Sequence, residues 1–393
     1  MDEIRDDQVV ASLFILVLRP DSLSQAPLSD MATSRPPSNS TPVWNAFQYR
    51  GRDFIRATVP KGINEGLPFT IAKRLAERYE VRKFFASGGC GLLLEGRDLR
   101  TETDVLIKTT LRYDGIVEYA HSRDEEGFAK KLTDHRKLLQ TERRVMVLLK
   151  NRGCNGIPNP NDYVFDWNPW LGEPFEANGG PWQFQDERLL SSEPYLIMER
   201  VEGRPLTEVI KKAMTERTAL EVLAQVCHVL AVLHQPVQRD GREWRLVYQD
   251  LKPDNILLGD RDAVSLLDLG GCRLTLGSIV GNKGAFTPGY CPPECQSSDT
   301  LKPTADAYTV GSTLFHMLTA RAPAEFLGSN AAVGGPQSVA FRNWDWPTLE
   351  RAVRRETYDF VRCCLAEKPA ERPADGRALL AEIASLLNGS GSP

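Results

Sequence analysis

Two carboxylates, a carboxamide and an ammonium group lie at short, fixed offsets in the second half of the chain. Lys252 follows Asp250 by two residues, and Asn255 comes three residues later. Asp268 begins an Asp-Leu-Gly triplet eighteen residues after Asp250. Phosphoryl transfer requires a carboxylate that orients the attacking hydroxyl, oxygen ligands for magnesium, and positive charge near the transferred group. The spacing therefore indicates phosphoryl-transfer chemistry.

The residues between the two aspartates contain two short apolar runs, at 256–258 and 264–267. Such runs, separated by polar turn residues, predict a strand, a turn and a second strand. A hairpin of this kind returns the chain, so that Asp250 and Asp268 can reach the same metal ion.

The ordered motifs of this region resemble those of protein kinases. The Y-Q-D-L-K-P-D-N run at 248–255 is similar to the kinase catalytic loop, and D-L-G at 268–270 is similar to the D-F-G segment. T-P-G-Y-C-P-P-E at 287–294 resembles the end of the activation segment. The resemblance covers about residues 79–388. In its compact sequence this region is similar to bacterial eukaryotic-type (Hanks-type) Ser/Thr kinases. The resemblance implies an α+β, two-lobed fold with a small β-rich N-lobe and a larger helical C-lobe.

The resemblance assigns a role to each polar residue of the catalytic loop. Asp250 would orient the substrate hydroxyl and accept its proton, and Lys252 would neutralise charge on the γ-phosphate of ATP. Asn255 and Asp268 would hold Mg²⁺. It also implies two structural contacts. Glu294 would form an ion pair with Arg372, and the Asp306 carboxylate would anchor the backbone of the catalytic loop.

A nucleotide site is implied in the first lobe. The V-L-I-K run ends at Lys108, which would hold the α- and β-phosphates of ATP. We assign its carboxylate partner to Glu142, which lies on one helical face with apolar residues. Glu125 and Glu126 are closer in sequence, but their charged surroundings are typical of a solvated loop. This choice implies an insertion around 112–128.

The other predicted ATP contacts come from the glycine-rich segment 85–93, the strand before Lys108, the hinge and the floor of the site. Ala86 stands where the family usually has glycine, and Leu106 replaces the usual small alanine. Met198 would be the gatekeeper. The complete predicted set, besides Lys108, is Ala86, Gly88, Gly89, Gly91, Leu93, Leu106, Met198, Glu199, Val201 and Leu257.

The domain organisation follows from composition and apolar spacing. Residues 19–43 are rich in Ser, Pro and Thr, so we predict a disordered N-terminal tail, with Met31 as an alternative start. An N-terminal extension follows, in which Phe69 to Tyr79 has helical spacing. The predicted regions are the tail 1–43, the extension 44–78, the N-lobe 79–201 with inserts near 112–128 and 166–194, and the C-lobe 202–388. Helices are predicted at 127–150, from a capping box at Thr218 and Glu221, and at 305–320, 348–365 and 377–387.

Composition excludes several classes of partner. The net charge of −4 gives no basic surface for nucleic acid. The apolar run from Val9 to Leu18 is too short to span a membrane. Eight cysteines without a C-x-x-C pair favour reduced thiols in a cytoplasmic protein. The tryptophans of the insert 166–194 are expected either to pack on the neighbouring lobe or to dock a regulatory partner.

Three functions are compatible with these motifs. Lys252 and Thr287 are the residue types of Ser/Thr kinases, which favours a kinase acting on Ser/Thr hydroxyls of a protein substrate. A pseudokinase, used as a binding or scaffold module, is the alternative, because Gln249 and Leu269 depart from the usual pattern. The five chemically required residues are nevertheless all present: Lys108, Glu142, Asp250, Asn255 and Asp268. A small-molecule phosphotransferase would lack the peptide platform formed by 287–294.

Overall fold

The structure is a computed structural model. It describes residues 44–49, 51–60, 66, 68–88, 91–110, 124–167, 188, 192–239, 241–275, 287–297, 301–326 and 344–389. The described chain divides into two compact units. The N-terminal unit comprises the residues up to Arg143 together with Asn159–Arg200. The C-terminal unit comprises Arg144–Pro158 and the residues from Val201 onward. The predicted N-lobe, 79–201, therefore includes a short stretch that clusters with the C-terminal unit.

The N-terminal unit begins with a three-stranded antiparallel sheet. Its strands are β1 (Asn45–Tyr49), β2 (Arg52–Thr58) and β3 (Pro68–Ala72), in that order. The helix expected from Phe69 to Tyr79 is therefore wrong. Phe69, Thr70, Ile71 and Ala72 are all buried, and a strand covered on both faces gives an apolar run whose spacing also fits a helix.

A six-stranded antiparallel sheet forms the centre of the N-terminal unit, in the order β4-β5-β6-β7-β9-β8. Three consecutive strands lie within residues 79–109. The strands are β4 (Arg74–Leu75), β5 (Tyr79–Gly88), β6 (Gly91–Asp98), β7 (Thr103–Thr109), β8 (Pro160–Asp166) and β9 (Glu193–Glu199).

One long helix, α1 (Glu125–Asn151), carries the predicted partner of Lys108. Asp124 precedes the helix, and its Oδ1 accepts a hydrogen bond from Gly127 N at 2.9 Å, which satisfies a free amide of the first turn. Phe128, Ala129 and Leu132 of the helix lie in one continuous core with both sheets. The small N-terminal sheet is thus part of the same packed body as the first turns of α1.

Helices dominate the C-terminal unit. They are α2 (Leu206–Val209), α3 (Glu216–Leu233), α4 (Glu294–Ser297), α5 (Thr304–Thr319), α6 (Trp346–Ala352), α7 (Arg355–Cys364) and α8 (Gly376–Gly389). None of the helices in the described ranges is long and apolar enough to cross a membrane.

Two helix ends differ from the sequence prediction. The cap of α3 is Thr215, whose hydroxyl accepts from Thr218 N at 3.2 Å, so the predicted capping box lies three residues too late. The helix expected over 348–365 is broken, because Arg354 adopts an extended conformation. Its amide and guanidinium both bind Glu216, at 3.0 and 2.9 Å. A contact between distant residues thus overrides a continuous helical pattern.

Two small sheets hold the loops of the C-terminal unit. One contains β10 (Arg204–Pro205), β13 (Ile256–Leu258) and β14 (Val264–Leu266), and the other contains β11 (Val237–Arg239), β12 (Arg242–Val247) and β15 (Arg273–Thr275). Strands β13 and β14 form the predicted antiparallel hairpin. A further bond from Leu267 N to Asn255 O, at 2.8 Å, places Asp268 beside the start of β13.

Candidate active site

The backbone of the catalytic loop is fixed by one buried carboxylate. Asp306 of α5 accepts hydrogen bonds from the amides of Tyr248 and Gln249, both at 2.7 Å, as predicted for the anchor. Gln249 has a φ of 74°, a conformation that side-chain-bearing residues rarely adopt. Hydrogen bonds to a charged acceptor are about twice as strong as neutral ones, so Asp306 offsets this local strain.

His234 supports this anchor from its other side. Its Nε2 lies 2.8 Å from Asp306 Oδ2, and its Nδ1 accepts from Gly376 N at 2.8 Å. Because Nδ1 accepts, the hydrogen belongs on Nε2, which donates to the carboxylate. The sequence gave no sign of this bridge, since Gly376 lies far along the chain from His234.

The Asp250 carboxylate is bonded through both oxygens. Oδ2 accepts from Lys252 Nζ at 3.0 Å, Oδ1 accepts from Thr287 Oγ1 at 2.7 Å, and Lys252 also donates to Thr287 at 2.7 Å. Burial raises the pKa of Asp250 and the charge of Asp268 adds to the rise, while Lys252 and Thr287 lower it. Lys252 and Thr287 thus hold the Asp250 carboxylate in one orientation beside an ammonium group.

Asn255 and Asp268 offer oxygen ligands close to this carboxylate along the folded loop. Asn255 Nδ2 donates to Asp250 O at 2.8 Å, so its amide oxygen points away from that bond. Asp268 has left-handed backbone angles, φ 56° and ψ 63°, a conformation that aspartate tolerates better than most residues. No group of three His, Cys, Asp or Glu that could hold a metal occurs in the described ranges. The pair fits magnesium, which binds one or two protein oxygens and completes its shell with phosphate and water.

In the N-terminal unit, Lys108 and Glu142 form the predicted ion pair. Lys108 Nζ donates to Glu142 Oε2 at 2.7 Å, and both side chains are buried. Glu125 and Glu126 belong to the first turn of α1, so their assignment to a loop is wrong. Both residues lie far along the helix from Glu142, which is the residue that pairs with Lys108. A buried pair of this kind holds an ammonium group at a defined place on β7.

The glycine-rich segment forms the meeting of β5 and β6. The strands pair as far as Gly88 opposite Gly91, while Gly89 and Cys90 lie outside the described residues. Gly91 has a φ of 141°, and a Cβ there would lie 2.1 Å from the carbonyl oxygen of Thr109. This position therefore requires glycine for the approach of β7, whatever the segment binds. Ala86 pairs with Leu93 across the two strands.

The predicted hinge follows β9. Met198 is buried and lies opposite Leu106 on β7. The amide of Glu199 donates to Asn159 O at 2.9 Å. An adenine contact from Glu199 would therefore have to use its carbonyl oxygen. In the C-terminal unit, Val201 is half-buried and Leu257 is buried in β13.

The predicted pair at the end of the activation segment is present. Arg372 donates to Glu294 through both terminal nitrogens, at 2.6 and 3.0 Å. Such bidentate pairs fix orientation as well as distance. The pair connects the segment ending at Glu294 to the turn before α8.

Comparison with known proteins agrees with these motifs. The model of the protein kinase domain matches residues 183–383, which is half of the chain, and the chain belongs to this family. The family resemblance predicted from the motifs is thereby confirmed.

The named relatives are bacterial kinases. The Ser/Thr-protein kinase PknL of Mycobacterium tuberculosis is 26% identical over 322 residues, covering 79% of this chain and 66% of the relative. PknB of the same species is 25% identical over 331 residues, covering 81% of this chain and 44% of the relative. A kinase called drp72 from Corynebacterium efficiens is 26% identical over 203 residues, or 51% and 36% of the two chains. This chain therefore spans at most about two thirds of these proteins.

Proposed function

We propose that this chain is a protein kinase that transfers the γ-phosphate of ATP to Ser or Thr hydroxyls of a protein substrate, with Mg²⁺. The observation that carries the proposal is the fixed Asp250 carboxylate, bonded to Lys252 and Thr287. Asn255 and Asp268 provide oxygen ligands on the same hairpin. Membership of the protein kinase family supports the reaction type.

In the proposed reaction Asp250 orients the acceptor hydroxyl and takes its proton. Lys252 lies 3.0 Å from that carboxylate and supplies positive charge where the phosphoryl group would be transferred. Asn255 and Asp268 would hold magnesium, which neutralises phosphate charge when bound. Lys108, oriented by Glu142, would bind the α- and β-phosphates. Positioning and charge stabilisation then account for most of the catalysis.

Two observations support Ser/Thr rather than Tyr acceptors. Thr287 bridges Lys252 and Asp250 at 2.7 Å to each, and Lys252 and Thr287 are the residue types that Ser/Thr kinases have at these positions. The relatives PknL and PknB are themselves named Ser/Thr-protein kinases. The acceptor class of this chain is inferred from both.

We also propose that the protein works in the cytoplasm. All seven described cysteines are free thiols, and six of them are buried. Free thiols are typical of reducing compartments. Cell fractionation with an antibody would place the protein, and recovery in a membrane or extracellular fraction would contradict this proposal.

The test is phosphate transfer by the purified full chain. The protein is incubated with γ-labelled ATP, Mg²⁺ and casein, and labelled phosphoserine and phosphothreonine are separated after hydrolysis. Asp268→Asn should reduce transfer by about a thousandfold or more, because asparagine keeps the left-handed backbone but loses the metal-binding charge. Asp260→Ala is the control, since Asp260 is exposed on the turn of the same hairpin.

Two outcomes would contradict the proposal. Equal labelling by the Asp268→Asn protein would mean that the site does not carry the reaction. Absence of labelling in a folded wild-type protein would favour the binding-module alternative.

A further inference from the structure

Arg136 makes a second polar connection between helix α1 and the central sheet. Its Nε and Nη2 donate to Glu193 Oε2 at 3.0 and 2.7 Å, and its Nη1 donates to Arg188 O at 2.7 Å. The Glu193 side chain, at the start of β9, is fully buried. Its other oxygen accepts a hydrogen bond from the Thr110 hydroxyl. The proposed phosphoryl transfer has no use for any of these groups.

This connection runs parallel to the Lys108–Glu142 pair. Thr110 comes two residues after Lys108, just past the end of β7, and Glu142 comes six residues after Arg136 on α1. Six residues correspond to about 9 Å along a helix. The helix is thus tied to the same end of β7 twice, once directly and once through Glu193. A shift or rotation of α1 that separates Glu142 from Lys108 would also strain the second tie.

The energetics indicate a positional role for the second tie. Burial raises the pKa of Glu193, while Arg136 and Thr110 lower it, so the ionised pair includes an appreciable desolvation cost. Buried ion pairs are often no more stabilising than apolar residues of the same shape. Their directional bonds nevertheless define one geometry, as the two bonds from Arg136 to one oxygen of Glu193 do here.

We propose that Arg136 is a positioning residue, which acts through Glu193 and Thr110 to hold α1 where Glu142 meets Lys108 before nucleotide binds. The inference rests on the proposed function, because the Lys108–Glu142 pair serves catalysis only if the chain uses ATP. In this scheme, the N-terminal unit fixes the helix by its own contacts.

The test is a cycle of variants in the full chain. Arg136→Met combined with Glu193→Gln removes the tie without leaving an uncompensated charge, and each protein is made with and without Glu142→Gln. We expect kcat/KM for ATP to fall about tenfold when Glu142 is present, and less than about twofold in the Glu142→Gln background. Lys137→Met is the matched control, because Lys137 pairs on the surface of the same helix with Asp134. It should leave kcat/KM unchanged.

A second measurement does not depend on activity. Amide hydrogen exchange over residues 136–146, measured without nucleotide, should speed up at least about tenfold in the Arg136→Met/Glu193→Gln protein and not in the control. Thr110→Val, which removes only the hydroxyl that donates to Glu193, should give a smaller change in the same direction, and it serves as the test if the first variant folds poorly.

Equal losses of kcat/KM in both backgrounds, or unchanged exchange in the helix, would overturn the proposal. If the wild-type chain transfers no phosphate, the proposed function fails, and the exchange measurement alone decides whether Arg136 positions α1.

Discussion

At the scale of single residues, Gln249 occupies the position before the proposed catalytic aspartate, Asp250. Many kinases have arginine there, and its guanidinium can pair with a phosphate on the activation segment. Gln249 is neutral, and its amide backbone is already held by Asp306. Its side chain is buried. A phosphate on the segment would therefore lack its usual partner at this position.

We predict that phosphorylation of the segment between Asp268 and Glu294 is not required for activity. Thr275→Ala/Ser278→Ala, and separately phosphatase treatment, should change turnover by less than about fivefold. Ser278 lies outside the described residues. Arg273 is a nearby substitute cation, although burial lowers its pKa to about 10, which still leaves it charged at neutral pH.

Phosphoprotein staining provides the control, because it confirms that the phosphatase has removed the phosphate from the protein. A loss of a hundredfold or more in either treatment would show that the segment is switched by phosphate despite Gln249. Thr287 is left intact, since it bonds directly to Asp250 and Lys252.

At the scale of elements, the small sheet β1–β3 is a structural part of the N-terminal unit. Phe54, Ile55, Phe69 and Ile71 are buried in one core with the central sheet and α1. Each such side chain contributes about 1.5–3 kcal/mol when fully buried. Arg52 of β2 pairs with the buried Asp166 at 2.6 Å. Trp167, the one described tryptophan of the insert, packs edge-to-face on Phe54 at 5.4 Å.

We predict that removal of the tail and removal of this sheet have different effects on stability. A chain starting at Trp44 should keep its melting temperature and its activity, whereas a chain starting at Lys73 should lose several kcal/mol of stability, because it lacks the buried side chains of β2 and β3, Phe54, Ile55, Phe69 and Ile71 among them. Differential scanning calorimetry of the two chains measures their stability, and the phosphate-transfer assay measures their activity. Phe54→Ala should cost about 3–5 kcal/mol, while the control Phe165→Ala, at a residue 61% exposed, should cost much less.

A large loss of stability on removal of residues 1–43 would contradict the first half of this prediction. Unchanged stability of the chain starting at Lys73 would contradict the second half.

The elements that sequence could predict are those fixed by local pattern. The hairpin between Asp250 and Asp268 follows from two apolar runs and a turn, and the long helix follows from its spacing. The sheet strand β3 was mistaken for helix because both of its faces are buried. The break at Arg354 depends on Glu216, which is distant in sequence. Patterns within a window carry no information about such partners.

The same limit applies to the candidate site. The resemblance to protein kinases, which the ordered motifs carry, implied the Lys108–Glu142 pair and the Asp306 anchor, and the structure contains both. Arg136 and Glu193 were missed, because their charges in sequence look like those of any solvated helix or loop. The bridge from His234 to Gly376 was missed for the same reason.

At the scale of the whole molecule, stability should depend on pH through one buried histidine of the C-terminal unit. His316 Nδ1 lies 2.7 Å from the Tyr290 hydroxyl, and burial lowers the pKa of His316 from its usual value of 6.5. Because the pKa of His316 is lower in the folded state than in the unfolded state, this residue stabilises the fold at pH values above its unfolded-state pKa. That contribution is lost as pH falls below about 6.5 and through the folded pKa.

We therefore predict that His316→Gln flattens the acidic side of the stability profile. Melting temperatures measured from pH 7.5 to 5 should fall less steeply in this variant than in the wild type, because glutamine does not titrate. His228→Gln is the control, since His228 is exposed. Parallel profiles for wild type and His316→Gln would show that this histidine does not contribute to acid sensitivity.

The left-handed backbone of Asp268 also has a genetic consequence. A single base change converts an aspartate codon into one for asparagine or glycine, and both residues tolerate this conformation. Either substitution would abolish the proposed metal-binding charge while leaving the hairpin unstrained. A single mutation would thus remove the proposed metal site without unfolding the protein. Descendants of such a gene would keep the shape of the domain for binding alone.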